Sequence, residues 1–266
     1  MILDRVQEVI RDRRHRSRMS EASYWDARVR TRAGHARSVW HSQAFSEVWN
    51  TRQMQVLDAA LAETIGSARA RRILDVGCGT GRITRELASR GADAVGVDFS
   101  EAAITAARDE GCEPGQSISY AVGNVADPPL PFDAASFDAV VAVGCLAVAC
   151  TDLPALERAL AEMGRVAKPG APVILLEPIH SSRLLGRVLK ARVGDWLDAA
   201  SRAGLHSTNR RGMGFVPARL ALSSFDLPAW FVSPVFRAGE LALDSLPVSR
   251  LADYTLLSFV RSGARP

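Results

Sequence analysis

The stretch ILDVGCGTGR, Ile73 to Arg82, decides the fold of this 266-residue chain. An apolar run, Ile73, Leu74 and Val76, carries an acid at Asp75 and ends in glycines at every second position, Gly77, Gly79 and Gly81. The helix-forming RITRELASR follows directly. A buried strand therefore turns sharply into a helix, and the turn has no Cβ atoms to keep a ligand off the backbone. The spacing is informative: a dinucleotide turn reads G-x-G-x-x-G, whereas this one reads G-x-G-x-G with an acid before it.

Downstream, GADAVGVDFS forms a second apolar strand, Ala94, Val95 and Val97, that ends in Asp98. An acid about 20 residues past a glycine turn is placed to accept both hydroxyls of a ribose. Ser100 is the expected N-cap of the helix EAAITAARDEG. Together these residues resemble motif I and its ribose acid in the class I S-adenosylmethionine-dependent methyltransferases of small-molecule type. The resemblance implies S-adenosylmethionine as cofactor. Asp75 and the backbone at Gly77, Cys78 and Gly79 would hold its amino-acid end, Asp98 its ribose, and Phe99 would cover one face of its adenine.

Two more blocks extend the likeness. SISYAVGNVADPPLPFDAASFDAVVAVGCLA is similar to the family's GDAxxLPFxxxSFDxVxxxxxL stretch. By that resemblance the Asn124 carbonyl accepts from the adenine amino group, with Asp127 as a substitute, and the N–H of Val125 meets the ring. Phe137 and Asp138 open a fourth strand, AVVAV, ending at Val143, beyond which Gly144 and Leu146 would lie over the cofactor. Many relatives have a histidine pair where this chain has Ala147 and Val148, which removes one position for a catalytic base. LERALAEMGRVAKPGAPVILLEP resembles the family's helix, Lys-Pro-Gly turn and fifth strand. The likeness covers roughly residues 70 to 178. It implies an α/β, Rossmann-like sheet of seven mostly parallel strands with an antiparallel last strand, a helical N-terminal cap and a C-terminal helical lid insertion. The expected division is an arm and cap over 1–66 and a methyltransferase domain over 67–266, with the lid at 217–250.

Composition bounds the remainder. A 47% hydrophobic fraction supports a full core. Cys78, Cys112, Cys145 and Cys150 show neither C-x-x-C spacing nor a secreted disulfide pattern and read as reduced, so a cytoplasmic protein is expected. No signal-peptide pattern, no membrane-length apolar run and no metal-ligand cluster is visible. The net charge of +4 is concentrated in RDRRHRSRMS and Arg28, Arg30, Arg32 and Arg37. Such an arm either attracts phosphate or is simply solvated. Without an aromatic stacking platform, nucleic acid is not the expected partner.

In the segment before the glycine turn, Phe45, Val48, Trp49 and Arg52 fall at helical spacing, followed by Met54, Leu57 and Leu61. Most of that stripe serves packing. By analogy with quinone-biosynthesis and natural-product methyltransferases, Tyr24 would close over the cofactor and Trp25 over the substrate pocket. The insertion is rich in Leu, Phe, Trp and Pro, including Trp230 and Phe231. It has three readings: a pocket lid, a peripheral membrane patch, or a homodimer interface. A hydroxyl acceptor needs a base, and His180 is the first candidate, ahead of Glu177, His41 and His206. The expected function is methyl transfer to a small, largely apolar or aromatic molecule. The alternatives are an RNA methyltransferase recruited by the arm, for which the N/D-P-P-Y signature is missing, and a non-catalytic S-adenosylmethionine-binding partner protein.

Overall fold

The computed structural model describes residues 16–31, 42–179, 188–223, 225–245 and 251–261. One seven-stranded sheet runs in the order β3-β2-β1-β4-β5-β7-β6. Its strands are β1 (Arg72–Val76), β2 (Asp93–Asp98), β3 (Ser117–Val122), β4 (Ala139–Val143), β5 (Pro172–Glu177), β6 (Leu205–Phe215) and β7 (Ala252–Arg261). β7 pairs antiparallel with both β5 and β6, and the pairs among β1 to β5 are parallel. That is the sheet expected from the sequence. The chain leaves β1 toward β2 and β3 and returns on β1's other side as β4. The order therefore reverses between β1 and β4, which opens a crevice at their carboxyl ends.

The inner strands β1, β2, β4, β5 and β7 are buried on both faces, so their side chains divide between two cores by simple alternation. Val140, Ala142, Val173 and Leu175 join Leu156, Leu160 and Met163 of α6 (Leu153–Val166) and Trp196 of α7 (Val193–Arg202). Their neighbours Ala139, Val141, Ile174 and Leu176 join the opposite layer. That layer is built from α2 (Gln43–Ile65), α3 (Arg82–Ser89) and α9 (Ala229–Ser245). Helix α6 shows why such segments form. Asp152 caps it by accepting from the N–H of Ala155 at 2.7 Å, Pro154 sits in the first turn, and buried positions recur at 156, 159, 160 and 163. Each fully buried leucine contributes roughly 1.5–3 kcal/mol, so Leu160→Asp would break the layer.

The expected N-terminal cap divides in two. Helix α2 is part of the core: Phe45, Trp49, Leu57 and Leu61 are buried in the same cluster as Ile73 of β1. Helix α1 (Ala22–Thr31) has no buried residue. It is held to α4 (Glu101–Asp109) by Asp26, whose Oδ1 accepts from the Ser100 hydroxyl at 2.5 Å and the Ala102 N–H at 3.2 Å. Ser100 is the N-cap of α4, as its sequence position predicts, and accepts from the N–H of Ala103 at 3.1 Å.

The β6–β7 connection holds two helices, α8 (Val216–Ser223) and α9, as its composition suggests. Their placement departs from the expectation of a lid over the strand tips. Helix α9 lies along β6 and α2, with Phe236 edge-on to Phe45 and Trp49 at centroid distances of 5.9 and 6.1 Å. Glu240 is buried there between the Arg52 Nε at 2.7 Å and the N–H of Gly214 at 2.8 Å. The ion pair and the aromatic contacts commit this face of α9 to the sheet's outer half. No helix among the described residues is long and apolar enough to cross a membrane. Most of the arginine-rich arm lies outside the described residues.

Candidate functional site

A cavity of about 520 Å³ opens at the carboxyl ends of β1, β2 and β4, where the strand order reverses. Its floor is the glycine turn. Gly77, Gly79 and Gly81 all have positive φ, at 71°, 55° and 83°, a region that glycine enters without a Cβ penalty. The absence of a side chain at Gly77 is also demanded by packing, since a Cβ there would collide with the Sγ and Cβ of Cys145. Nothing lies within 4 Å of a Cβ built on Gly79, so that position faces open space. Of the expected cofactor residues, Gly77, Cys78, Gly79, Asp98, Phe99, Asn124, Val125 and Val143 line this cavity, as do Gly144 and Trp25.

Asp98 links the turn to the second strand. Its Oδ2 accepts from the N–H of Gly79 and its Oδ1 from the N–H of Ser100, each at 2.9 Å. Burial raises its pKa, while the N–H donors from Ser100 and Gly79 hold it down. The carboxylate is thus fixed in orientation, and each oxygen retains a lone pair. Asn124 turns back on the chain, with Oδ1 accepting from the N–H of Ala126 at 3.0 Å. It also keeps acceptor capacity at the cavity wall.

Other expected residues are elsewhere, for identifiable reasons. Asp75 does not line the cavity: it is 1% exposed, and its Oδ2 accepts from the Thr84 hydroxyl at 2.7 Å. Strand alternation turns it toward α3, where it ties the strand to the helix behind the glycine turn. Burial pushes its pKa up to about 6 against the opposing Thr84 hydrogen bond. Tyr24 is likewise off the wall, edge-on to Trp25 at 5.2 Å. Leu146 belongs to the core of the α6 face. Asp127 is exposed. Trp230 and Phe231 do not line the cavity either: they are 77% and 41% exposed on the outside of α9.

The base candidates fare unevenly. His180 and His41 lie outside the described residues. His206 is exposed on the edge strand β6. Glu177 is fully buried at the end of β5, its Oε1 accepting from the N–H of Cys145 and Leu146 at 2.9 and 3.0 Å and its Oε2 from that of Ala147 at 3.1 Å. It fixes the turn into α5 (Leu146–Ala149), and so the cavity rim at Gly144 and Cys145, without facing the cavity itself.

Residues that sequence reasoning did not place at the site complete the wall: Trp49, Asn50 and Gln53 of α2, Arg82 and Arg85 of α3, and Tyr254 of β7. Trp49 and Tyr254 meet edge-on at 5.2 Å. The available signal was on α2, where Asn50 and Gln53 interrupt an apolar helix on the face that carries Trp49.

Residues 73–170 match the family model described as a methyltransferase domain. Among curated proteins, demethylmenaquinone methyltransferase from Tropheryma whipplei (strain Twist) is 33% identical over 126 residues, 47% of this chain and 49% of that protein. Ubiquinone biosynthesis O-methyltransferase from Hahella chejuensis is 39% identical over 101 residues, 38% of this chain and 40% of that protein. The chain thus spans about half or less of the length of these relatives. Among solved structures, magnesium protoporphyrin IX methyltransferase from Synechocystis PCC 6803, with bound S-adenosylhomocysteine, superposes with a TM-score of 0.60 at 16% identity. The superposition covers 93% of this chain and 98% of that one. The sheet, its strand order and the helical layers are the Rossmann-like fold of that methyltransferase structure.

Proposed function

We propose that the protein is an S-adenosylmethionine-dependent methyltransferase acting on a small, largely apolar or aromatic acceptor. The observation that carries this reading is the pairing of an open glycine turn with an oriented acid: the N–H of Gly79 bonds to Asp98 at 2.9 Å on the floor of the cavity. The wall fits the cofactor's parts. Asp98 has acceptor capacity for a ribose, Phe99 an aromatic face and Asn124 a carbonyl for a purine, while Gly79 leaves room for the chain between them. The volume lies within the range of small-molecule sites. Bound there, S-adenosylmethionine would supply a methyl group on a sulfonium, an electrophile with a neutral leaving group.

The protein's own contribution is then mainly placement and exclusion of water. Asp98 orients one end of the site. Glu177, through the backbone N–H groups at 145–147, keeps the Gly144 rim rigid. Trp25 and Val29 of α1 line the cavity, and Asp26 latches that helix to Ser100. Trp49, Tyr254 and Val148 offer an apolar and aromatic surface suited to a planar acceptor. The similarity to quinone methyltransferases supports an acceptor of that kind. Among the described cavity-lining residues there is no histidine, and the carboxylate of Glu110 is taken by Arg85. His180, three positions after Glu177, is therefore retained as the proposed base for a hydroxyl acceptor.

Calorimetric titration with S-adenosylhomocysteine tests the cofactor assignment. Asp98→Ala is expected to weaken binding by about 1.5–3 kcal/mol, the range for hydrogen bonds to a charged group. Unchanged affinity would place the cofactor elsewhere. Transfer of labelled methyl groups to a panel of phenols, quinols and aromatic acids tests the acceptor class. In that assay His180→Ala should lower kcat by about 10²–10⁴ with cofactor affinity kept.

A further inference from the structure

Arg82, the first residue of α3, brings its guanidinium to the cavity wall beside Asn50 and Gln53 of α2. Nη2 donates to the Gln53 Oε1 at 2.7 Å, and Gln53 is itself buried. This neutral amide occupies one of five N–H donors. Among the described residues, no carboxylate is within ion-pairing distance of Arg82. The carboxylates that act on it from further away have other partners: Asp75 takes the Thr84 hydroxyl, and Glu86 is held by Arg90 Nη1 at 2.8 Å. The neighbouring cavity arginine is different, because Arg85 pairs with Glu110 and donates to the Thr80 carbonyl at 2.8 Å. Burial lowers the pKa of Arg82, an effect the charges of Asp75 and Glu86 oppose. Arg82 is partly withdrawn from water with its nearest described carboxylates beyond ion-pairing distance, which is costly, and an anion entering the cavity relieves that cost. A planar donor fork matches a carboxylate, and the carboxamide of Asn50, which makes no hydrogen bond to the described chain, lies one helical turn before Gln53 and lines the same cavity.

We propose that Arg82, steadied by Gln53 and sharing the cavity wall with Asn50, is a carboxylate-binding subsite on the α2 side of the glycine turn, with Asp98 on the β2 side. The subsite rests on the reading of the cavity as an S-adenosylmethionine site. The carboxylate has two possible sources, the amino-acid end of the cofactor or an acidic acceptor, and the chemistry at Arg82 is the same for both.

The test compares wild type with Arg82→Gln by calorimetry. The probes are S-adenosylhomocysteine, then 5′-methylthioadenosine, which keeps the nucleoside thioether but lacks the amino acid, and then benzoate against benzamide on the S-adenosylhomocysteine-loaded protein. Both proteins should bind methylthioadenosine equally. A loss of about 10- to 100-fold for S-adenosylhomocysteine in the variant supports the subsite with the cofactor as source. Retained S-adenosylhomocysteine affinity, with loss of the wild type's preference for benzoate over benzamide, supports it with the acceptor as source. Equal binding of all probes by the two proteins overturns it. Absence of both methylthioadenosine and S-adenosylhomocysteine binding in the wild type overturns the cofactor reading and the subsite with it. Without ligand, the variant should melt at or above the wild-type temperature, because a partly buried cation outside any described ion pair has been removed. A melting temperature several degrees lower, with methylthioadenosine binding also lost, would make Arg82 a structural strut and overturn the proposal. Arg82→Lys, which keeps the charge but not the fork, should show a partial loss on the same probe.

Discussion

Helices α2 and α9 lie side by side on the same face of the sheet, each carrying a tryptophan, and they use it in opposite ways. Trp49 of α2 is 2% exposed and lines the cavity, packed against Tyr254 and Phe236. Trp230 of α9 is 77% exposed and stands edge-on to Phe231 at a centroid distance of 6.0 Å. By sequence the roles look reversed, because α2 shows a regular packing stripe and the insertion shows aromatics among prolines. The difference teaches that aromatic content does not identify a pocket wall. The decisive factor is which helix runs past the strand tips at the switch point, and α2 does so while α9 follows the outer strand β6.

The comparison can be broken most sharply from the cavity floor. Gly77→Val places a branched side chain against Cys145 at a positive φ. Strain and overpacking together should cost about 3 kcal/mol or more, seen as a large fall in the denaturant midpoint. A variant of wild-type stability would mean the turn and the Cys145 rim do not pack as described. Trp49→Ala should destabilise by about 3–5 kcal/mol and also weaken ligand binding, since both the core and the cavity wall lose the ring. A stability loss without any binding change would return Trp49 to a packing role alone.

Asp75 sharpens the contrast by its pH dependence. Its folded pKa of about 6 exceeds the usual 3.8. Between those values the folded protein holds a proton that the unfolded chain has released, so this group makes stability fall as pH rises from about 4 to about 6 and contributes no further change above. Asp75→Asn removes that slope and keeps an acceptor for Thr84. Its stability relative to wild type should therefore improve across that interval, by on the order of 2 kcal/mol. Parallel stability–pH curves for the two proteins would refute the buried, protonation-coupled placement. The smallest effect is expected at the outer helix: Trp230→Ala should change stability by no more than about 0.5 kcal/mol and leave S-adenosylhomocysteine affinity alone. A loss of cofactor or acceptor binding there would restore the lid that the geometry of α9 argues against.

Much of the site was legible because it is built from local backbone requirements. Glycines at alternate positions after an apolar run identify the turn, and Asp98 follows at the spacing of the next strand tip. The helix cap at Ser100 and the strand AVVAV are read the same way. What was not legible depended on partners distant in sequence. Asp75 and Asp98 are both strand-tip acids, but alternation and the Thr84 hydroxyl send one behind the turn and leave the other at the cavity. Glu177 resembles a catalytic carboxylate until three N–H groups from residues 145–147 are seen to occupy it.

The sequence by itself determined the ligand-facing glycine turn and the strand tips that flank it, because strand periodicity and positive-φ glycines act over a few residues, whereas the parallel sheet and its antiparallel last strand were implied by the family resemblance. The tertiary structure alone decided that Trp49, Gln53, Arg82 and Tyr254 share one wall and that Trp230 faces solvent. Side chains separated by tens to hundreds of positions become neighbours only through helix packing and strand order, and the packing that sets Arg82 against an amide rather than an acid exists only in the folded chain.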